Sequence, residues 1–206
     1  MAEHATSVWR PRDAWLGIAE VGQIGAAGKP GVSVLTLGDM GFATLIAGAD
    51  SDDLERTTKR FIGLDLPRTP SAVLSGMHGL VWAGPDQWLL IARQRAGLSD
   101  LLASLSADAA VSDQSHARAA LRVSGARARE VLAKGSMVDL HPSVFPVGAT
   151  ALTSFAQIGV QLWRTEDGPD GAIFEILVAR SMAGSFWSWF AASAAEFGCR
   201  VAIGRG

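Results

Sequence analysis

Residues 113–140, DQSHARAALRVSGARAREVLAKGSMVDL, hold the most fully punctuated unit of the chain. A polar loop, Asp113-Gln114-Ser115-His116, leads into Ala119-Ala120-Leu121-Arg122-Val123, where Leu121 and Val123 share one face at a period of two. That pattern predicts a strand. Ser124-Gly125 breaks it, and Ser124 is placed to cap the helix expected over Ala126 to Lys134, which buries Ala128, Val131 and Leu132. Gly135 is the expected stop, since glycine takes a left-handed C-terminal turn without steric cost.

Outward from this unit the same theme repeats. Towards the N-terminus, Val32–Leu37 and Phe42–Ile46 alternate apolar residues across Gly38-Asp39-Met40-Gly41 and read as a hairpin. Asp52 to Ile62 reads as a helix, and Leu64 to Pro70 as a proline-bounded connector. Leu80–Trp82 and Trp88–Ile91 form a second hairpin, and Leu98 to Leu105 a helix with leucines at helical spacing. Towards the C-terminus, Leu140 to Gly148 is irregular. Ala149–Phe155 and Val160–Arg164 form a hairpin turning near Gln157-Ile158-Gly159, and Phe174–Ala179 is a further strand. Ser181 is placed to cap a long helix with Phe186, Trp189, Phe190 and Phe197 on one face. Gly198 stops it, and Arg200 to Ile203 returns as a strand.

The expectation is an α+β fold of two similar halves, 32–110 and 111–206, each a small mixed or antiparallel sheet backed by helices, forming one compact unit. Residues 1–31 lack periodicity and read as an arm, which Trp9 and Trp15 could anchor on a partner or on their own domain. Gly22, Gly25, Gly28 and Lys29 echo a phosphate loop, but Pro30-Gly31 stand where Ser or Thr must begin a helix.

Candidate chemistry is sparse. His4, His78, His116 and His141 are not spaced as metal ligands. Asp113, Ser115 and His116 are the types of a catalytic triad, but neighbours on an extended loop point apart, and Asp113 and Ser115 are expected to fold back on their own backbone. Cys199 has no base beside it and reads as a buried thiol. Arg118, Arg122, Arg127 and Arg129 cluster in sequence but spread over more than one face. No residue is assigned a catalytic, cofactor-binding or metal-ligating role.

With a net charge of -2, nothing favours nucleic acid as a partner. One cysteine fits a reducing, cytoplasmic compartment, and no run approaches the ~20 apolar residues of a membrane span. Charged residues are only 18%, below the usual ~25%, and seven tryptophans occur without a tyrosine. That balance suits either a tryptophan-rich core or burial against a partner. Trp9, Trp15, Trp82 and Trp187 are the candidate partner contacts; Trp187 lies off the main aromatic stripe of its helix.

The D-x-S-H loop with its strand and helix resembles the aminomethyltransferase-like folate-binding fold of the glycine-cleavage T-protein. Gly84-Pro85-Asp86-Gln87-Trp88-Leu89-Leu90, Val138-Asp139-Leu140-His141-Pro142 with Phe145-Pro146-Val147-Gly148, and Phe174 to Ser181 narrow the likeness. In that order they resemble the gamma-subunit family of heterotetrameric sarcosine oxidase, over about residues 32 to 203.

The resemblance implies an accessory subunit of an enzyme that oxidatively demethylates sarcosine to glycine. The other products would be hydrogen peroxide and formaldehyde or, with tetrahydrofolate, methylenetetrahydrofolate. FAD, covalent FMN and NAD would belong to the alpha and beta subunits and zinc to the delta subunit, leaving this chain without a cofactor. A rival reading is a free-standing tetrahydrofolate-binding one-carbon protein resembling the T-protein itself. A third, a folate-binding repair or assembly factor, needs a K-G-C-Y-x-G-Q-E motif. Here Lys134-Gly135 run into Ser136-Met137-Val138, and the sole cysteine is Cys199.

Overall fold

The computed structural model describes residues 12–48 and 50–204. In chain order these form β1 (Gly22–Ile24), β2 (Val32–Leu37), β3 (Gly41–Ala47), α1 (Ser51–Ile62), β4 (Ala72–Leu74), β5 (His78–Gly84), β6 (Gln87–Ala92) and α2 (Leu98–Leu105). There follow β7 (Ala109–Asp113), β8 (Arg118–Ser124), α3 (Ala128–Ala133), β9 (Thr150–Phe155), β10 (Ile158–Gly168), β11 (Gly171–Ala179), α4 (Ala183–Ala194) and β12 (Cys199–Gly204).

Period-two alternation decides the layering. In β8, Leu121 and Val123 face α3 and α4, while Ala120 faces the other way. In β6, Trp88 and Leu90 pack towards α1 and α2, while Leu89 and Ile91 face the other way. The strands form a seven-stranded sheet, β1-β12-β2-β8-β11-β10-β9, and a five-stranded sheet, β4-β5-β6-β3-β7. The inward faces meet in a shared seam built from Met40, Phe42, Ile91, Ala120, Trp163 and Leu177. The result is four layers: helices, sheet, sheet, helices.

The helix over 51–62 forms for the reasons legible in its sequence. Asp50 accepts from the Asp52 N–H at 2.8 Å, acids occupy the first turn and bases the last, and Gly63 closes it in the left-handed region. Leu54 and Thr58 are buried, but Phe61 stays 47% exposed.

Four local expectations need correction. Val32–Leu37 and Phe42–Ile46 are not a hairpin: β2 pairs with β12 and β8, while β3 pairs with β6 and β7 in the other sheet. The link at 38–40 is a crossover between sheets, which turn residues alone cannot distinguish from a hairpin. Ser124 and Ser181 do not cap helices, because α3 starts at Ala128 and a 3-10 turn, Arg180–Met182, precedes α4. Gly135 is not a left-handed stop. It is close to Trp189, whose ring a Cβ would meet at 2.5 Å, so glycine is there for room. The β9–β10 turn falls at Ala156 and Gln157, both at positive φ, earlier than the glycine suggested.

The described part of the N-terminal segment docks on its own domain. Trp15 is 1% exposed and donates its indole N–H to the Ala120 carbonyl at 2.7 Å. β1 adds an edge to β12, and β12 in turn lies parallel to β2.

Candidate functional site

Two crossovers between the sheets meet at one end of the seam. Residues 38–40 carry the chain from β2 to β3, and residues 114–117 carry it back from β7 to β8. Ser115 sews them together. Its hydroxyl accepts the Phe42 N–H at 3.0 Å and donates to Asp113 Oδ1 at 2.6 Å, while the Gln114 N–H donates to the Phe42 carbonyl at 2.7 Å. The Ser115 N–H donates to the same Asp113 oxygen at 2.8 Å, completing the turn expected of these two residues. Burial pushes the Asp113 carboxyl up, but the two Ser115 hydrogen bonds and the charges of His116 and Arg95 outweigh it and hold it below its ordinary value.

The loop is not a triad. His116 sits with its ring nitrogens 3.4 and 3.5 Å from Arg95 Nη1, beside a guanidinium rather than Ser115, and Ser115 is 3% exposed. The Ser115 hydroxyl is spent between the Phe42 N–H and Asp113, with no histidine on it to take its proton. Ser115→Ala is therefore expected to cost about 1–3 kcal/mol of stability by leaving the Phe42 N–H unpaired. Urea unfolding of the variant checks it; an unchanged midpoint would contradict the pinning role.

The strongest charge constellation lies within the seam and was missed in the sequence. Glu175, on β11, is fully buried between the sheets. Arg93, just past β6, donates to both of its oxygens at 2.7 and 2.9 Å. Arg122, opposite on β8, donates at 2.7 and 3.2 Å, and Trp163 Nε1 donates at 3.0 Å. One carboxylate thus ties three strands of one sheet to the end of a strand in the other. The available signal was a single acid at an inward position of Phe174–Ala179, where the other side chains are apolar.

The remaining arginines disperse as their spacing suggests. Arg118 Nε donates to Gln114 Oε1 at 2.8 Å, Arg127 pairs with Glu130 at 2.9 Å, and Arg129 Nε donates to the Leu140 carbonyl at 3.1 Å. His141 is a loop residue whose Nδ1 lies 2.7 Å from Ser143 Oγ, and His78 ends the β4–β5 turn, where its N–H donates to Ser75 Oγ at 3.0 Å, its pKa lowered by burial. His4 lies outside the described residues. Among the described residues no three His, Cys, Asp or Glu side chains are grouped to hold a metal ion.

Cys199 is buried, and desolvation pushes its thiol from an ordinary 9.0 to about 11. It is expected to resist thiol reagents in the folded chain and to react promptly on unfolding. Rapid labelling of the native chain would contradict this. The unfolded chain ionises first between 9.0 and about 11, so stability falls as pH rises through that window.

Of the candidate partner contacts, Trp15 must be withdrawn, because its ring is spent on the chain's own core. Trp9 lies outside the described residues. Trp82 is half-buried, and so is Trp187, which lies edge-on to Trp15 and stacks on Phe190 at 6.0 Å between centroids. Trp88 and Trp163 are fully buried.

Comparisons with known proteins converge. Residues 48–196 match the model of the sarcosine oxidase, gamma subunit family. The chain is 39% identical over 108 residues to a sarcosine oxidase subunit gamma from Arthrobacter sp, covering 50% of this chain and 53% of the relative. It is 37% identical over 107 residues to the subunit gamma of Corynebacterium sp. strain U-96, covering 52% of that relative. The match thus spans about half the length of these curated relatives. A chain of the heterotetrameric sarcosine oxidase from Corynebacterium sp. U-96 superposes with a TM-score of 0.75 at 30% identity, over 90% of this chain and 95% of that one. The glycine cleavage system aminomethyltransferase T of Bartonella henselae shares the fold, with a TM-score of 0.62 at 12% identity, over 84% of this chain and 48% of that one.

Proposed function

This chain belongs to the sarcosine oxidase gamma subunit family, and from that premise we propose that it is the accessory gamma chain of a heterotetrameric sarcosine oxidase. Its complex would oxidatively demethylate sarcosine in the cytoplasm, releasing glycine and hydrogen peroxide with formaldehyde or methylenetetrahydrofolate. Alpha, beta and delta subunits would carry FAD, covalent FMN, NAD and zinc, and this chain would support them. The observation that carries the reading is the likeness to a chain of the Corynebacterium heterotetramer, which runs through nearly the whole of both chains. None of the described helices is long and apolar enough to cross a membrane.

The test is purification of a tagged copy from its own cells. Larger chains should come down with it, and the pool should be yellow and oxidise sarcosine. A monomeric, colourless product would overturn the proposal and move attention to the free-standing tetrahydrofolate-binding reading. Trp82 and Trp187 are the proposed contacts with neighbouring subunits. Trp187→Ala is expected to reduce co-purification more than it lowers the thermal midpoint of the chain alone; equal losses would count against that contact.

A further inference from the structure

The mouth of the inter-sheet seam, where the two crossovers meet, is a half-open cavity of about 280 Å³. That is near the lower end of small-molecule pockets, typically about 300–1,000 Å³. Its walls are of two kinds. Leu37, Met40, Phe42 and Ile203 give an apolar side, and Arg12, Arg95, Arg118 and Arg180 give a cationic one. Only two carboxylates, Asp13 and Asp39, share the lining with these four guanidiniums.

The arginines are held by groups that carry no full negative charge. Arg118 Nε donates to the Gln114 amide oxygen, and Arg180 Nη2 to the Arg12 carbonyl at 2.8 Å. Arg95 Nη2 reaches the Met40 carbonyl at 3.4 Å, and its buried Nε has no hydrogen-bond partner. Among the described residues, Arg95, Arg118 and Arg180 pair with no carboxylate, whereas Arg93, Arg122, Arg127 and Arg164 each do. Arg118 is also partly desolvated, which lowers its pKa. A folded chain with net charge -2 has acids to spare, yet four guanidiniums outnumber the two carboxylates in this lining, with Asp113 behind it as a further acid near Arg95.

We propose that this cavity is a binding site for a small organic dianion, a dicarboxylate whose apolar spine lies against Leu37, Met40 and Phe42. The excess of two cationic side chains in the lining matches two carboxylates. Guanidiniums suit carboxylates because their paired N–H groups match the two oxygens. The apolar wall is what a bare inorganic anion would leave unused. The site is independent of the subunit reading, since it is built wholly from this chain.

The test is calorimetric titration of the full chain with glutarate, against its neutral diamide and against inorganic phosphate. Glutarate should bind, the diamide should not, and phosphate should bind more weakly than glutarate. Arg118→Gln should weaken glutarate by about tenfold or more, as expected for loss of a charge-assisted contact. Asp13→Asn is the control for folding defects. Its amide oxygen can still accept the Trp15 backbone N–H that Asp13 Oδ1 takes at 2.8 Å, while a negative charge leaves the lining. That variant should bind glutarate more tightly, a gain that misfolding cannot imitate. No glutarate binding by the folded chain would overturn the proposal. So would equal affinity in Arg118→Gln, no gain in Asp13→Asn, or phosphate binding as tightly as glutarate.

Discussion

Trp15→Ala should destabilise the chain by about 4 kcal/mol, within the range for removing a buried tryptophan. At this chain length that corresponds to a fall in thermal midpoint of about 10 °C. Two losses add. The ring is 1% exposed and packs edge-on to Trp187 at 6.2 Å, so its removal opens a cavity beneath α4. Its indole N–H also satisfies the Ala120 carbonyl at 2.7 Å, in a strand at the centre of the larger sheet. Trp15→Phe separates the two: it keeps much of the packing and removes only the indole hydrogen bond to the Ala120 carbonyl, with an expected cost of about 1 kcal/mol. Melting both variants checks the account. A Trp15→Ala midpoint close to that of the wild type would mean that the N-terminal segment is not part of the core.

Glu175→Gln is the second large effect. The substitution preserves shape but leaves Arg93 and Arg122 facing a neutral amide between two sheets. Removing one partner of a buried pair costs about 3–5 kcal/mol. The arginine side chains retain 22% and 34% exposure, so water softens the repulsion, and about 3 kcal/mol is the expected loss. Urea unfolding should show the midpoint move with little change in slope. Replacing Glu175, Arg93 and Arg122 together with apolar residues should recover part of the loss, because the desolvation cost disappears with the charges. If Glu175→Gln unfolds like the wild type, the cluster is not what clamps the sheets together.

Much of this architecture was legible in local pattern. The helix over 51–62 carries its own cap, charges and glycine stop, and the hairpin through Gly84-Pro85-Asp86 has both strands and turn in one stretch. Pairing across long separations was not. Gly38-Asp39-Met40 has the composition of a hairpin turn, and only competition from β12 and β8 for β2 makes it a crossover. Because the residues around Trp15 have no period, its sequence leaves open whether it anchors on a partner or on its own domain; the strand that receives its indole N–H lies over a hundred positions away. The Asp113–Ser115 turn was readable because its hydrogen bonds are local. Glu175 was not, since its partners Arg93 and Arg122 come from separate elements. The arginines of the seam cavity likewise come from four segments, so no motif announces them.

The central claim, that this chain serves as the accessory subunit of a sarcosine oxidase, is tested most directly by omission. The neighbouring subunits would be expressed with and without it, and sarcosine-dependent hydrogen peroxide formation measured alongside the mass of the assembled complex. We expect the full set to form one active assembly containing this chain, and the set without it to assemble poorly and lose most of its activity. An assembly of full activity that never incorporates the chain would contradict the account.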